Sequence, residues 1–333
     1  MRNGAGGWLT AALLSLTAAL AADLPAPPLG LDAFMPVPAE NPLTPARIDL
    51  GRVLFFDKRL SRDGSLSCAT CHVPELGFTD REPVGLGVDG QKGTRRTPRL
   101  INRGYGRLYF WDGRAGSLEE QVVQPIANPV EMDLPVEEAA ARLAASAESA
   151  AAFEAAFGRA PDPQTLAWAL AGYVRTIVSG DSSYDRYVAG DGDALTPAQK
   201  RGLEVFRGKG ACGICHLGPN LTDEEFHNTG VGWKDGPAED LGREKVTGDA
   251  ADRGAFKTPT LRDVALAGPY MHDGSLATLE DVVEFYDQGG EANAALDPEI
   301  RKLNLTDAEK ADLTAFLGAL NGRIREGRRD ISP

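Results

Sequence analysis

Two five-residue runs set the limits on this chain: Cys68-Ala69-Thr70-Cys71-His72 and Cys212-Gly213-Ile214-Cys215-His216. Between them they use all four cysteines of the 333 residues. Two thioethers per run would fix a haem's vinyl groups, and the adjoining imidazole would be carried onto the iron as its proximal ligand. Four cysteines also permit two disulfides, a thioredoxin-type pair or one zinc site. None of these asks for a histidine directly after each pair. With only four histidines in the chain, chance fills both positions roughly once in ten thousand trials. Two covalent haem c groups are therefore expected, held by Cys68, Cys71, Cys212 and Cys215, with His72 and His216 on the irons.

Helix punctuation is plentiful and strand-like alternation scarce, so the fold class expected is all-α. Thr196-Pro197-Ala198-Gln199 and Thr306-Asp307-Ala308-Glu309 read as capping boxes, the first with proline at the first helical position. Ser117 with Glu120 reads as another box, and Thr278 caps a segment closed by Gly289-Gly290. Pro163 opens a helix whose Leu166, Leu170, Tyr173 and Ile177 form an apolar stripe, and Glu137 to Phe157 reads as an alanine-rich helical stretch.

The two halves echo each other. Phe110-Trp111-Asp112-Gly113 with Leu118-Glu119 matches Met271-His272-Asp273-Gly274 with Leu279-Glu280, and Thr97-Pro98-Arg99-Leu100 matches Thr258-Pro259-Thr260-Leu261. Each copy carries one Cys-x-x-Cys-His run. Two cytochrome c-like haem domains related by an internal repeat are expected, over residues 22–185 and 186–333, joined near the Gly-, Asp- and Ser-rich segment from Gly180 to Asp193. Residues 1–21 read as a cleaved secretory signal peptide: Arg2 supplies the charge, Trp8 to Leu20 the short apolar run, and Ala19-Leu20-Ala21 the small-residue cleavage site. The mature chain then has no membrane span. A net charge of −13 spread along the sequence argues against nucleic acid and anionic lipid as partners.

Whether two haems merely pass electrons depends on whether either iron keeps an open position. Strong sixth ligands are few: His227 and His272, with Met35, Met132 and Met271 outside the signal segment. The run Phe110-Trp111-Asp112-Gly113-Arg114-Ala115, followed by Leu118-Glu119-Glu120-Gln121, Pro125-Ile126 and Glu131-Met132, resembles the bacterial di-haem cytochrome c peroxidase family, which includes the MauG-type maturation enzymes. Pro269-Tyr270-Met271-His272-Asp273-Gly274 and both haem runs agree with it, in consistent order over most of the mature chain.

The resemblance implies a peroxidatic haem in the N-terminal domain and a low-spin haem in the C-terminal one. By motif position, Gln121, Pro125 and Glu131 match the distal pocket of the peroxidatic haem, and Trp111 matches the residue between the haems. A distal carboxylate at Glu131 would take a proton from peroxide and return it to the leaving oxygen. The bland alternatives are that Glu131 caps the helix near Pro135 and that Trp111 is ordinary core.

Departures from the family refine this. Members that need prior reduction carry a removable distal histidine sixteen residues past the first motif's histidine; that position here is Val88, and no histidine lies between His72 and His216. The usual methionine ligand of the second iron, fourteen residues past the histidine of the His-Asp-Gly run, is here Tyr286, as in the MauG branch. Members commonly bind calcium with an asparagine where Arg96 stands and with carbonyls matching Ala267 and Pro269. A guanidinium cannot coordinate calcium, so that ion is doubtful here and Arg96 would supply its positive charge. The tryptophan two residues before the second motif in the methylamine-pathway enzyme is Gly210 here.

The expectation is therefore a periplasmic peroxidase that uses hydrogen peroxide to oxidise a redox partner: a small cytochrome, a copper protein, or a residue on a protein substrate. Tyr286 and the missing distal histidine favour the protein-oxidising branch. The alternatives are a peroxide-detoxifying cytochrome c peroxidase and a non-enzymatic di-haem electron carrier.

Overall fold

The computed structural model describes residues 26–233, 238–327 and 329–331. The expected signal segment, residues 1–21, lies wholly outside them. No helix among the described residues is long and apolar enough to cross a membrane.

The first half contains α1 (Pro45–Phe55), α2 (Cys68–Cys71), α3 (Leu118–Gln121), α4 (Gln124–Ala127), α5 (Val136–Ala144), α6 (Ala147–Phe157) and α7 (Pro163–Arg175), while α8 (Ser183–Val188) crosses the expected boundary at 185/186 and packs Tyr184 and Tyr187 on the second core. The second half contains α9 (Pro197–Arg207), α10 (Glu244–Thr247), α11 (Leu279–Asp287) and α12 (Asp307–Gly318). Long irregular loops join them, and these loops carry most of the site.

The caps form where the sequence places them. Thr196 and Thr306 make reciprocal boxes with Gln199 and Glu309, and Thr278 does so with Asp281. Ser117 accepts from the Glu120 N–H, but the Glu120 carboxylate turns to the Gly116 N–H instead of closing the box. The alanine-rich stretch is two helices rather than one. Ser146 leaves helical geometry and accepts from the Ser149 N–H, so it caps α6 and interrupts what alanine propensity alone would continue.

Two apolar cores result. Leu54, Phe55, Leu118, Ile126, Leu166, Leu170 and Tyr173 anchor the first, and Leu203, Phe206, Leu279, Val283, Leu313 and Phe316 the second. Each fully buried large side chain contributes about 1.5–3 kcal/mol of apolar transfer. α1 packs on α7 and α9 packs on α12. Both crossings are very close: a Cβ on Gly51 would fall 2.0 Å from the Ala169 carbonyl oxygen, and one on Gly202 would fall 1.9 Å from that of Asp312. Only glycine allows these backbones to meet.

Helix dominates, as expected of an all-α chain, and a few short strands accompany it. β1 (Val178–Gly180) pairs antiparallel with β4 (Arg323–Glu326), which pairs with β5 (Arg329–Asp330); β2 (Phe226–His227) pairs with β3 (Phe256–Lys257). Strands of two to four residues are too short to display alternation. Through β4 the chain end returns to the first half, where Ile324 joins the first core.

Candidate functional site

Each Cys-x-x-Cys-His run is presented in the same way. His72 donates Nδ1–H to the Phe78 carbonyl at 3.1 Å, and His216 donates Nδ1–H to the Leu221 carbonyl at 3.1 Å. A carbonyl can only accept, so the bond fixes the tautomer and leaves Nε2 with its lone pair free, the arrangement a metal-ligating histidine needs. Phe78 and Leu221 adopt left-handed backbone conformations, at φ 58° and 51°, that aim those carbonyls. Burial lowers the pKa of both imidazoles, which favours the neutral, ligating form.

The cysteines form no disulfide. Burial pushes the Cys68 thiol up to about 12, and the Cys71 and Cys212 thiols up to about 11. A redox-active pair needs the opposite shift, toward thiolate. Among the described residues the one group of donors close enough to share a metal ion is Cys215, Asp223 and His227. It contains a single cysteine, so the four thiols do not converge as a zinc site.

A cavity of about 300 Å³ runs between the halves. Cys212, Cys215, His216 and Tyr286 line it together with Trp111, Leu118 and Gln121, whereas Cys68, Cys71 and His72 lie outside its lining. Tyr286 projects from α11, its ionisation raised first by burial and then by the Cys212 and Cys215 charges. Its hydroxyl has no hydrogen-bond partner among the described residues. Arg99 also borders the cavity, donating through Nη2 to the Thr260 carbonyl at 2.9 Å while Nη1 is buried without a partner. Two preset Nε2 atoms, four unpaired cysteines and an orphaned guanidinium donor fit two flat macrocycles bearing anionic propionates. His72 and His216 would hold the irons, the four cysteines the rings, and Arg99 a propionate.

Trp111 donates its indole N–H to the Arg96 carbonyl at 2.9 Å and accepts at its own carbonyl from the Lys257 N–H at 2.8 Å. It is thus fixed at the seam between the halves and is not ordinary core. Glu131 lies near the first run, close enough for its charge to raise both the Cys68 and Cys71 thiols. Burial raises the Glu131 pKa, against a 2.6 Å hydrogen bond from Asn128 Nδ2 and the nearby Arg114 charge. It does not cap α5, whose N-cap is Pro135 with no side-chain bond. Gln121 ends α3 at the cavity, and Pro125 lies in α4 outside the cavity lining, its carbonyl accepting from the Met132 N–H at 3.1 Å.

The other histidines are engaged. His227 is held between Asp223 at 3.1 Å and Asp297 at 2.6 Å. His272 is buried and stacked on Phe256, with ring centroids 3.5 Å apart. At Gly210 a Cβ would fall 2.8 Å from the Val205 carbonyl oxygen, so the local backbone leaves no room for a tryptophan.

The profile of the di-haem cytochrome c peroxidase family matches residues 45–193. The methylamine utilization protein MauG of Methylorubrum extorquens is 44% identical, over 86% of this chain and 81% of its own. The chain belongs to the di-haem cytochrome c peroxidase and MauG family. The cytochrome c551 peroxidase of Pseudomonas aeruginosa is 37% identical over 87% of this chain and 84% of its own. A solved MauG-like protein associated with microbial copper homeostasis superposes with a TM-score of 0.81 at 37% identity, covering 90% of this chain and 95% of that one. Membership makes the chain an enzyme, a di-haem peroxidase, and the electron-carrier alternative gives way.

Sequence reading missed several residues at this site. Arg99, Arg103, Lys257 and Phe256 all line the cavity. Glu224 bridges the halves by accepting from Arg103 at 2.7 Å and Lys257 at 3.3 Å. Burial opposes its ionisation, but the two cations outweigh it and hold the carboxyl down to about 2. The repeated Thr-Pro pairs, which adjoin Arg99 and Lys257, were the available signal, since Arg103 carries no motif.

Proposed function

We propose that this chain is a periplasmic MauG-like peroxidase with an open His72 site and a Tyr286-ligated His216 site. The single observation that carries this reading is that Tyr286 lines the same cavity as Cys212, Cys215 and His216. Residues 1–21 would be the signal peptide, and residues 22–185 and 186–333 two haem domains of one repeat. Matching backbone supports the repeat: Phe110 and Met271 share φ near 68°, as do Gly113 and Gly274, and equivalent bridges join Tyr109 to Ala115 and Tyr270 to Leu276.

The haem at His72 would supply the iron at which peroxide binds and gives up two oxidising equivalents. The chain's residues do the rest. Cys68 and Cys71 tether the ring, as Cys212 and Cys215 tether the second. Glu131 takes the first peroxide proton and returns it to the leaving oxygen; its raised pKa brings the carboxyl nearer working pH, where such exchange is efficient. Gln121 offers an amide with no side-chain bond among the described residues, suited to orienting peroxide. Pro125, whose side chain offers no donor atom, would leave the iron held at His72 accessible to peroxide. Trp111 passes electrons between the sites.

At the second site Tyr286 would hold the iron through its side-chain oxygen, which as a phenolate would be anionic and hard and would favour ferric and higher states relative to methionine. That suits a haem which stores an oxidising equivalent, to be spent on a protein residue. Donation from a small cytochrome or copper protein is the second reading, supported by the likeness to cytochrome c551 peroxidase. Mixing the holoprotein with peroxide alone, then with periplasmic extract, and mapping new oxidations by mass spectrometry tests the choice. Oxidation of one protein's side chain supports the first reading; rapid turnover with a reduced small cytochrome and no protein product supports the second.

A further inference from the structure

The seam between the halves holds two buried cations at matching positions, each directly before a Thr-Pro pair. The Arg96 N–H donates to the His272 carbonyl at 2.7 Å, and the Lys257 N–H donates to the Trp111 carbonyl at 2.8 Å. Each half thus grips the turn of the other, and both turns have the same left-handed residues at their corners.

Side chains break the symmetry. Lys257 reaches one acceptor, Glu224. The Arg96 guanidinium is 4% exposed and meets five oxygens. Nη1 donates to Asp80 Oδ1 at 3.2 Å and to the Glu82 carbonyl at 3.1 Å. Nη2 donates to the Asp80 carbonyl at 2.9 Å, the Ala267 carbonyl at 2.6 Å and the Gly268 carbonyl at 3.3 Å. These oxygens come from both halves. The Arg96 carbonyl meanwhile accepts the Trp111 indole N–H. One residue therefore bonds the Trp111 ring, the His272 turn and the loops at 80–82 and 267–268 together.

We propose that Arg96 is the positioning residue for Trp111, a covalently attached cation that locks the indole between the two haem sites. The inference rests on the reading of Trp111 as the path between haems. A planar guanidinium is required, because its five N–H groups radiate in a fixed fork, whereas an ammonium offers three from one point. Charge alone would not hold four carbonyls from two halves in register. Removing the fork frees the residue whose carbonyl fixes the ring, and misplacement of about 1 Å in such a constellation costs up to roughly a hundredfold in rate.

The test uses holoprotein of Arg96→Met, Arg96→Lys and Trp111→Phe. Stopped-flow spectra after peroxide mixing give the rate at which oxidising equivalents formed at the His72 haem reach the His216 haem. Amide hydrogen exchange is followed over residues 110–113 and 271–274. Arg96→Met is expected to slow redistribution about tenfold or more and to raise exchange in both turns; Arg96→Lys should not rescue either. Trp111→Phe should slow redistribution while leaving exchange in the 271–274 turn as in the parent. Parent-like redistribution in both Arg96 variants, with slowing in Trp111→Phe, overturns the proposal and spares the relay. Parent-like redistribution in Trp111→Phe overturns the relay, and the Arg96 clamp then stands or falls on exchange alone. Equal loss of peroxide reaction and redistribution in both Arg96 variants would reduce Arg96 to a structural residue and also overturn the proposal.

Discussion

The Val88 N–H donates to the Glu131 carbonyl at 2.8 Å. The loop that could have delivered a histidine ligand to the first iron instead packs a buried valine against the loop carrying the candidate distal carboxyl. Gly87 permits the approach, since a Cβ there would fall 2.1 Å from the Val130 carbonyl oxygen. An apolar wall and a shielded carboxyl belong to the same contact, and burial is what raises the Glu131 pKa.

Glu131→Gln is expected to retain both haems and to slow the reaction with peroxide by roughly a hundredfold or more, the loss typical of a missing acid–base group. The carboxylate form takes the first proton, so the parent's rate should rise with pH through the Glu131 pKa. Burial displaces that rise above the ordinary glutamate range, and the variant should lack it. Stopped-flow rates across pH check both; an unchanged rate returns Glu131 to a structural role.

Chelation should leave spectrum and activity unaltered. Arg96 donates to the Ala267 carbonyl, one of the oxygens a calcium ion would need, and a guanidinium in that position excludes a second cation. Activity lost in EDTA and restored by calcium alone would show that other residues have built a site.

The haem runs, helix caps and repeated Thr-Pro and Asp-Gly turns were legible because each is written within a few residues. Contacts that depend on distant chain were not. Nothing in Val178–Gly180 reveals that it pairs with Arg323–Glu326, and nothing in Arg96 reveals that it also has acceptors at 80–82. Position by resemblance singled out Trp111, Glu131 and Tyr286 as candidates. It could not reveal Arg99, whose meaning rests on an unpartnered Nη1 in a folded cavity.

Both haems should be covalent. Acid–acetone extraction is expected to leave the colour with the protein, and replacing both cysteines of either run should lose one haem equivalent. Release of haem into the solvent would contradict the paired thioether reading.

The α9–α12 crossing offers a stability test remote from the chemistry. Gly202→Ala places a methyl against the Asp312 carbonyl, and overpacking of this kind costs about 1–3 kcal/mol. Thermal unfolding of the holoprotein should show a lower midpoint with the ferric spectrum unchanged. An unshifted midpoint would mean that the two helices separate at little cost.

The asymmetry of the two sites is the centre of this account, and the ferric electron paramagnetic resonance spectrum of Tyr286→Phe beside its parent tests it most directly. The parent should give one high-spin signal, from the open His72 site, and one low-spin signal, from the Tyr286-ligated site. The variant should convert the low-spin signal to high spin and raise the potential of that haem, with the first signal retained. A variant that keeps the parent's low-spin signal and potential would contradict the account and pass the ligand role to His227 or Met271.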